Sequence, residues 1–428
     1  MSQPTTENPN RRDFLRGSAA VAAAGVLASQ YTIAHGAFAQ GSDILKVGLV
    51  GCGGRGSGAA VQALSADPGA RLTAMGDAFA DRLDASLKNL KETEVGDKVT
   101  VDPSMQFIGF DAYKQVIDNV DVVLLTSPPV FRPAQLAYAV DQGKHIFCEK
   151  PIAVDAPGVR QVFAISNKAK EKKLSLVSGL CWRYDHGMRA TFEKIKEGAI
   201  GDVRIVQATY NTSTLKKFPR QTGWSEMEFQ LRNWQHFHWL SGDHNVEQHV
   251  HSIDKVLWAM QDQVPVRCTG TGGRQARTGE ESGNVFDHFS VVYEFENGVK
   301  AFTSCRQMDG CDGDVSDHVW GSKGYCDIFK HLTKGETNWK FNGDKGNMYQ
   351  TEHNELFKSI RTGQPINNGD YMTKSTMMAI MGRMSAYTGK MLTWDQALNS
   401  KENLTPEKWE FGPGREPVVA TPGVTRFV

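Results

Sequence analysis

A chain of 428 residues carries 48 Lys and Arg against 48 Asp and Glu, with 40% hydrophobic residues, so its formal charge is zero. That balance provides no general field for nucleic acid or an anionic membrane, and any charged partner must be held by a local site. The length suits about two domains with a sizeable core. No run of about 18 strongly apolar residues lies in the globular part, which argues against stable membrane insertion.

Taken in chain order, Asn10-Arg11-Arg12-Asp13-Phe14-Leu15-Arg16 precedes a weakly apolar, Ala-rich run, Gly17 to Ala28, and Ala37-Phe38-Ala39 has the small residues of a cleavage site. This segment resembles a twin-arginine export signal, with Asn10 where Ser or Thr is usual. Residues 1–39 are therefore expected to be a leader read by the twin-arginine export machinery and cleaved near Ala39, placing the protein in the periplasm or otherwise outside the cytoplasm. An uncleaved anchor is disfavoured because the run is short and followed by Ser29-Gln30. That route carries proteins already folded, often around a cofactor. The seven cysteines, Cys52, Cys148, Cys181, Cys268, Cys305, Cys311 and Cys326, are scattered and odd in number. They read as buried free thiols, with one Cys305–Cys311 bridge as the alternative.

Ile44 to Val50 reads as a buried strand running into Gly51-Cys52-Gly53-Gly54-Arg55-Gly56, with Ala59 to Leu64 in helical pattern beyond it. This is G-x-G-x-x-G in the setting a dinucleotide needs: Gly51 permits the turn, Gly53 lets backbone approach a pyrophosphate, and Gly56 allows close helix packing. A second strand, Arg71 to Gly76, ends in Asp77, where an acid accepts hydrogen bonds from the adenosine ribose and disfavours a 2′-phosphate, so NAD is preferred to NADP. Strands then alternate with helices: Val120 to Thr126, Pro133 to Gln142, His145 to Cys148, Val159 to Lys172 and Leu174 to Gly179. The alternation predicts an α/β fold, a doubly wound parallel sheet over residues 40–180 with its ligand at the carboxyl ends of the strands. Two such ends stand out, Thr126-Ser127-Pro128-Pro129 and Cys148-Glu149-Lys150-Pro151, and Ser127, Pro128, Glu149 and Lys150 join the expected cofactor-binding set.

At Glu149-Lys150-Pro151, followed by Glu247-Gln248-His249-Val250-His251-Ser252-Ile253-Asp254, the chain resembles the Gfo/Idh/MocA oxidoreductases, whose Rossmann domain carries E-K-P and whose second domain carries D-x-G-x-H-x-x-D. The resemblance extends to Tyr349–Leu398. It implies a catalytic set of Lys150, Glu247 and His251, an α+β second domain with a large open, mainly antiparallel sheet, and a homo-oligomer built on that sheet. Glu replaces Asp at 247 and His replaces Gly at 249, so the substrate geometry is not carried over. The residue types suit the chemistry independently. Withdrawing a hydride from a carbinol requires a base for the hydroxyl proton, a role for His251, and a lysine ammonium stabilises the developing alkoxide. If 247–254 is one helix, Glu247 and His251 lie only about 40° apart and Glu247 can orient His251, whereas His249 is about 160° away from it. His236, His238, Asp243 and His244 are metal-ligand types without a recognised zinc spacing, and no metal is expected.

Past Cys181-Trp182-Arg183-Tyr184 the pattern changes to a helix, Gly187 to Glu197, a strand, Val203 to Tyr210, and a long irregular aromatic stretch, Asn211 to Asp243. Strands at Val266–Gly272, Asp287–Phe295, Lys300–Met308 and Asp317–Trp320 alternate apolar and polar residues, and helices follow at Glu352–Arg361 and Lys374–Thr388. Residues 181–400 form the expected substrate and oligomerisation domain, and 401–428 a C-terminal arm. Arg183, Tyr184, Trp239, His249 and Asp254 are the residues expected to meet a carbohydrate substrate. An exported enzyme cannot rely on free NAD, so tightly bound cofactor is expected. The chemistry is either hydride transfer at a hydroxyl of a sugar, polyol or glycoside, or redox-neutral glycoside cleavage by oxidation, elimination and hydration. A non-catalytic carbohydrate- or nucleotide-binding protein is the third reading.

Overall fold

The computed structural model describes residues 43–428; the leader and its cleavage site lie outside the described residues. Six strands, β1 (Leu45–Val50), β2 (Ala70–Asp77), β3 (Gln106–Ile108), β4 (Val122–Leu125), β5 (His145–Cys148) and β6 (Leu176–Ser178), pair in parallel in the order β3-β2-β1-β4-β5-β6. The crossovers carry helices α1 (Gly54–Ala66), α2 (Ala80–Lys91), α3 (Ala112–Asp118), α4 (Arg132–Asp141) and α5 (Ala156–Glu171). β1 and β4 read as almost unbroken apolar runs because both faces of the sheet are covered. The strand order reverses beside β1, and that switch point is where a doubly wound sheet opens a crevice at its carboxyl edge.

The second sheet has nine strands in the order β14-β13-β12-β11-β7-β10-β9-β8-β15. They are β7 (Val203–Thr212), β8 (Arg267–Gly273), β9 (His288–Glu294), β10 (Lys300–Gln307), β11 (Asp314–Gly321), β12 (Gly324–Asp327), β13 (Leu332–Gly335), β14 (Trp339–Lys340) and β15 (Leu392–Thr393). Only β7 and β10 pair in parallel. One face is covered by α10 (Val250–Ala259) and α12 (Gly369–Thr388), with α6 (His186–Lys196) packed on α10, and the other leaves Ile205, Phe302 and Trp320 exposed. The stretch expected to be irregular, 211–243, contains α7 (Glu226–Arg232) and α8 (His238–Ser241), and α9 (His244–Glu247) follows. Ser225 caps α7 through Glu228 N, a local hydrogen bond that periodicity does not register.

Two segments cross between the halves. α11 (Met348–Thr362) belongs by sequence to the 181–400 stretch, yet Leu356, Phe357 and Ile360 pack into the core of the parallel sheet, and Arg361 pairs with Asp67 at 2.7 Å. α12 is buried on nearly every side and rich in Met, whose flexible side chains fill a space bounded by α5, α10 and β8. The last helix, α13 (Trp394–Leu398), opens with a capping box at Thr393. The arm 401–428 contains no helix or strand but is held down by hydrogen bonds, as Leu404 N to Asp155 Oδ2 at 2.7 Å. All seven cysteines are free: Cys305 is buried in β10 and Cys311 lies exposed in the following loop, so the bridge considered above is not formed. No helix among the described residues is long and apolar enough to cross a membrane.

Candidate active site

The groove begins where β1 ends. Gly51 has φ +91°, and a Cβ there would sit 2.5 Å from Ser127 N; at Gly56 a Cβ would sit 2.0 Å from Gly51 O. Only glycine permits this approach of β1, β4 and α1, and it leaves the first N–H groups of α1 without a side-chain cap. Gly53 and Gly54 face open space, as backbone offered to a diphosphate does. Asp77, the last residue of β2, accepts from Cys52 N at 2.6 Å and Phe79 N at 2.9 Å, and burial pushes its carboxyl above the usual range. Each oxygen retains a lone pair for a ribose hydroxyl. Ser127 Oγ donates to Gln135 Oε1 at 2.6 Å, and Ser127 and Pro128 join the loop, Arg55 and Asp77 around a cavity of about 400 Å³. The residues present therefore fit a nicotinamide dinucleotide. Sequence reasoning missed the roof as part of the cofactor set: Lys216, Phe218, Asn233 and His236, from the stretch expected to be irregular, line the same cavity, with Phe218 under the Arg82 guanidinium at 5.5 Å.

Beyond β5, Glu149 pairs with Arg55 and accepts the Lys150 backbone N–H at 3.0 Å. Lys150 Nζ donates to the Glu247 carbonyl and to Glu247 Oε1 at 3.1 Å. The segment 247–254 is not one helix: α9 ends at Glu247, α10 begins at Val250, and His249 is the N-cap. The break turns the Glu247 carboxylate to Lys150, and no hydrogen bond joins it to His251. His251 lies in the first turn of α10 with Nδ1 buried and without a protein partner. Burial, then the nearby Lys150 charge, holds its imidazole well below the usual histidine range, so it is neutral and able to take a proton at neutral pH. Tyr210, at the end of β7, has its phenol pushed up to about 12 by burial and by the Glu247 charge, which places a further hydroxyl near this group.

The five residues expected to meet substrate are held by protein. Arg183 grips Asp254 through Nε and Nη2, both at 2.9 Å, reaches Asp262 at 2.9 Å and lies between the Trp258 and Tyr371 rings; Ser375 Oγ donates to Asp254 at 2.6 Å. Tyr184 donates its hydroxyl to Asn368 at 2.8 Å, Trp239 donates its indole N–H to Gln230 at 2.6 Å, and His249 Nδ1 lies 3.0 Å from Asn245 Oδ1. All five are buried. Asp254→Ala removes the fully buried partner of Arg183 and leaves it only the partly exposed Asp262, so the substitution is expected to cost about 3 kcal/mol, the low end for a broken buried pair. Denaturant unfolding measures this, and a loss below about 1 kcal/mol would show the pair to be dispensable.

Several histidines are buried neutral: burial pushes His236 down to about 4 and His238 and His249 to about 3, and His244 and His353 well below their ordinary value. Their folded pKa values lie below the unfolded value of about 6.5, so the unfolded chain binds more protons on acidification. Stability is present above about pH 6.5 and is expected to fall as pH drops from there toward 4. A melting temperature unchanged between about pH 7 and pH 5 would contradict this.

A dinucleotide groove at the switch point, with a lysine beyond it and a neutral histidine within reach of the lysine's charge, defines a nicotinamide-dependent oxidoreductase. The comparisons agree. The family model described as "Oxidoreductase family, NAD-binding Rossmann fold" matches residues 45–179, the GFO/IDH/MocA C-terminal domain matches 188–327, and a twin-arginine translocation signal matches 8–28. The chain belongs to the Gfo/Idh/MocA family of oxidoreductases and carries a twin-arginine export signal. The inositol 2-dehydrogenase of Rhizobium meliloti is 26% identical over 280 residues, 65% of this chain and 74% of that protein. The 2,7-anhydro-N-acetylneuraminate hydratase of Escherichia coli is 27% identical over 182 residues, 42% of this chain and 44% of that protein. The chain thus spans about half the length of several curated relatives that it matches. A crystal structure of an aldose-aldose oxidoreductase from Caulobacter crescentus superposes with a TM-score of 0.64 at 18% identity, covering 82% of this chain and 99% of that one, a likeness of fold.

Proposed function

We propose that the protein is an exported, periplasmic oxidoreductase that transfers a hydride between tightly held NAD and a hydroxyl of a sugar, polyol or glycoside. The observation that carries this reading is the delivery of Lys150, from the end of β5, onto Glu247 beside the neutral His251. When bound, the nicotinamide supplies hydride acceptance and return. His251 takes the hydroxyl proton, and Lys150, held by Glu247, stabilises negative charge on the same oxygen. Gly51, Gly53, Gly54, Arg55 and Gly56, with Ser127, Pro128 and Glu149, form the cofactor set, and Asp77 supports NAD over NADP. Arg183, Tyr184, Trp239, His249 and Asp254 shape the substrate side from behind, through the ion pair and hydrogen bonds described above. The exposed Ile205, Phe302 and Trp320 on the open sheet support a homo-oligomer.

Retention is supported by the roof over the groove and by the C-terminal arm, whose Trp409 and Phe411 back the cavity-lining Phe131 and Phe110 at ring distances of 4.3 and 4.9 Å. A second reading, redox-neutral cleavage of a glycoside, is favoured by the likeness to a hydratase, because its elimination and hydration steps use the same lysine and histidine. Mass spectrometry of the nucleotide that co-purifies, followed by product analysis, tests both. Co-purified NAD with stoichiometric keto-sugar supports oxidation, and released reducing sugar without net NADH supports cleavage. Protein that carries no dinucleotide and acquires none defeats both.

A further inference from the structure

The acid–base group leaves one charged cluster without a role. Arg55, just before Gly56, lines the cavity with a side chain 32% exposed. It pairs with Glu149 through Nε, donates from Nη2 to Glu352 Oε1 at 3.0 Å and from Nη1 to Gln62 at 2.9 Å, and lies over the Tyr349 ring at 5.0 Å. Glu352 comes from α11, its side chain is 0% exposed, and its Oε2 meets no donor. Glu149 is pressed against Gly179, where a Cβ would sit 2.6 Å from its Oε2, and the same oxygen accepts the Lys150 N–H. A continuous path thus runs from the glycine loop through Arg55 and Glu149 to the backbone of Lys150.

Two carboxylates share one guanidinium. The other groups around them leave that sharing in place: Arg132 is near enough to act on Glu149, but its buried guanidinium donates to the Pro151 carbonyl and to neither carboxylate, and burial keeps the Tyr184 phenol, near Glu352, neutral. Burial raises the Cys181 thiol and the Tyr349 phenol and keeps His353 far below its usual range, so all three are neutral, and the Lys150 ammonium is turned to Glu247. Glu352 therefore has only Arg55 as a paired cation, shared with Glu149, and a buried negative charge so weakly compensated beside a loop built to take a diphosphate is costly. A proton on Glu352 removes it, and Oε2, without a donor, is the oxygen free to carry one. Burial, and after it the Glu149 charge, holds the Glu352 carboxyl well above the usual range, in the direction this requires.

We propose that Arg55, Glu149 and Glu352 are a positioning unit in which Glu352, bearing a proton from solvent on Oε2 while the dinucleotide is seated, leaves Arg55 to Glu149 and so fixes Lys150. This rests on the dinucleotide reading above. Deprotonation of Glu352 sets a second negative charge against the diphosphate and competes for Arg55, so alkaline pH loosens the nucleotide. The purified holoenzyme is dialysed and its bound NAD counted over time. The wild type is expected to release NAD about tenfold faster at the alkaline end of a series from about pH 7 to about pH 10 than at its neutral end, and Glu352→Gln, a neutral isostere, slowly at both. Equal acceleration in the two proteins overturns the proposal while leaving NAD binding intact, whereas a wild type that holds no dinucleotide at any pH in the series overturns the function itself. Should Glu352→Gln not fold, calorimetric titration of nucleotide-depleted wild type with NAD over a series from about pH 7 to about pH 10, in two buffers of different ionisation heat, decides. Proton uptake that appears toward the alkaline end supports the unit, and none anywhere in the series overturns it.

Discussion

Lys150→Ala and His251→Ala are each expected to lower kcat/KM by a factor of about 10² to 10⁴, the range over which a positioned acid or base contributes. The substrate would be the sugar or polyol found to reduce the bound nicotinamide. The two variants differ in their pH profiles. In the wild type, burial and then the Lys150 charge hold the His251 imidazole below its ordinary range, so the acid limb of kcat/KM falls below about pH 6.5. Lys150→Ala removes the cation but not the burial. Its residual activity is expected to show an acid limb displaced upward from the wild type, yet still below that of a free imidazole. An acid limb that stays in place after loss of Lys150 would separate the two residues and return His251 to a packing role. Glu247→Gln keeps the hydrogen bond to Lys150 but drops the ion pair, and should fall between wild type and Lys150→Ala.

The parallel sheet was readable because its signals are local. Gly51, Gly53 and Gly56 follow a buried strand, and Asp77 ends the next one, so the motif and its periodicity agree on one crevice. The acid–base group was readable only as a set of residue types. Whether 247–254 is one helix depends on the break between Glu247 and Val250, a tertiary matter that spacing does not carry. That break redirects Glu247 from His251 to Lys150. Arg183 and Asp254 drew notice as polar residues near the motifs, but their partners are each other, 71 positions apart, and pair geometry is invisible to a single chain read linearly. The roof residues Lys216 and Phe218 were hidden for the opposite reason: they sit in a stretch without periodicity and gain their role only where the fold brings them to the cavity that Asp77 also lines. Glu352 required the fold most of all, since α11 must return to the first domain to bring it against Arg55.

Ending the chain at Ser400 is expected to release the dinucleotide about a hundredfold faster without removing any residue that lines the groove. The arm beyond Ser400 is fastened at several points. Leu404 N donates to Asp155 at 2.7 Å, Arg415 Nη1 to Leu404 O at 2.8 Å, Met227 N to Gly412 O at 3.1 Å, and Gln230 Nε2 to Arg415 O at 2.7 Å. These bonds tie the start of α5 to α7, which carries Arg232 onto Asp81 of α2 at 3.0 Å. Between the ties, Phe411 packs on Phe79 and Phe110 at 5.6 and 4.9 Å, and Trp409 on Phe110 and Phe131 at 5.8 and 4.3 Å. Phe79, Phe110 and Phe131 all line the cavity, so the arm holds one wall of the groove from outside. Each aromatic contact contributes about 0.5 to 1.5 kcal/mol beyond simple burial, so losing several weakens the closed wall by about 3 kcal/mol, equivalent to the hundredfold change. The double variant Trp409→Ala with Phe411→Ala removes the same four ring contacts while keeping the backbone ties, and should release the dinucleotide faster by about the same hundredfold. Release is read as NAD remaining on the protein after repeated gel filtration, with circular dichroism to establish that the shortened chain is folded. A folded, arm-less protein that keeps its NAD as long as the full chain would assign retention to the roof, Lys216 to His236, and leave the arm a structural tie.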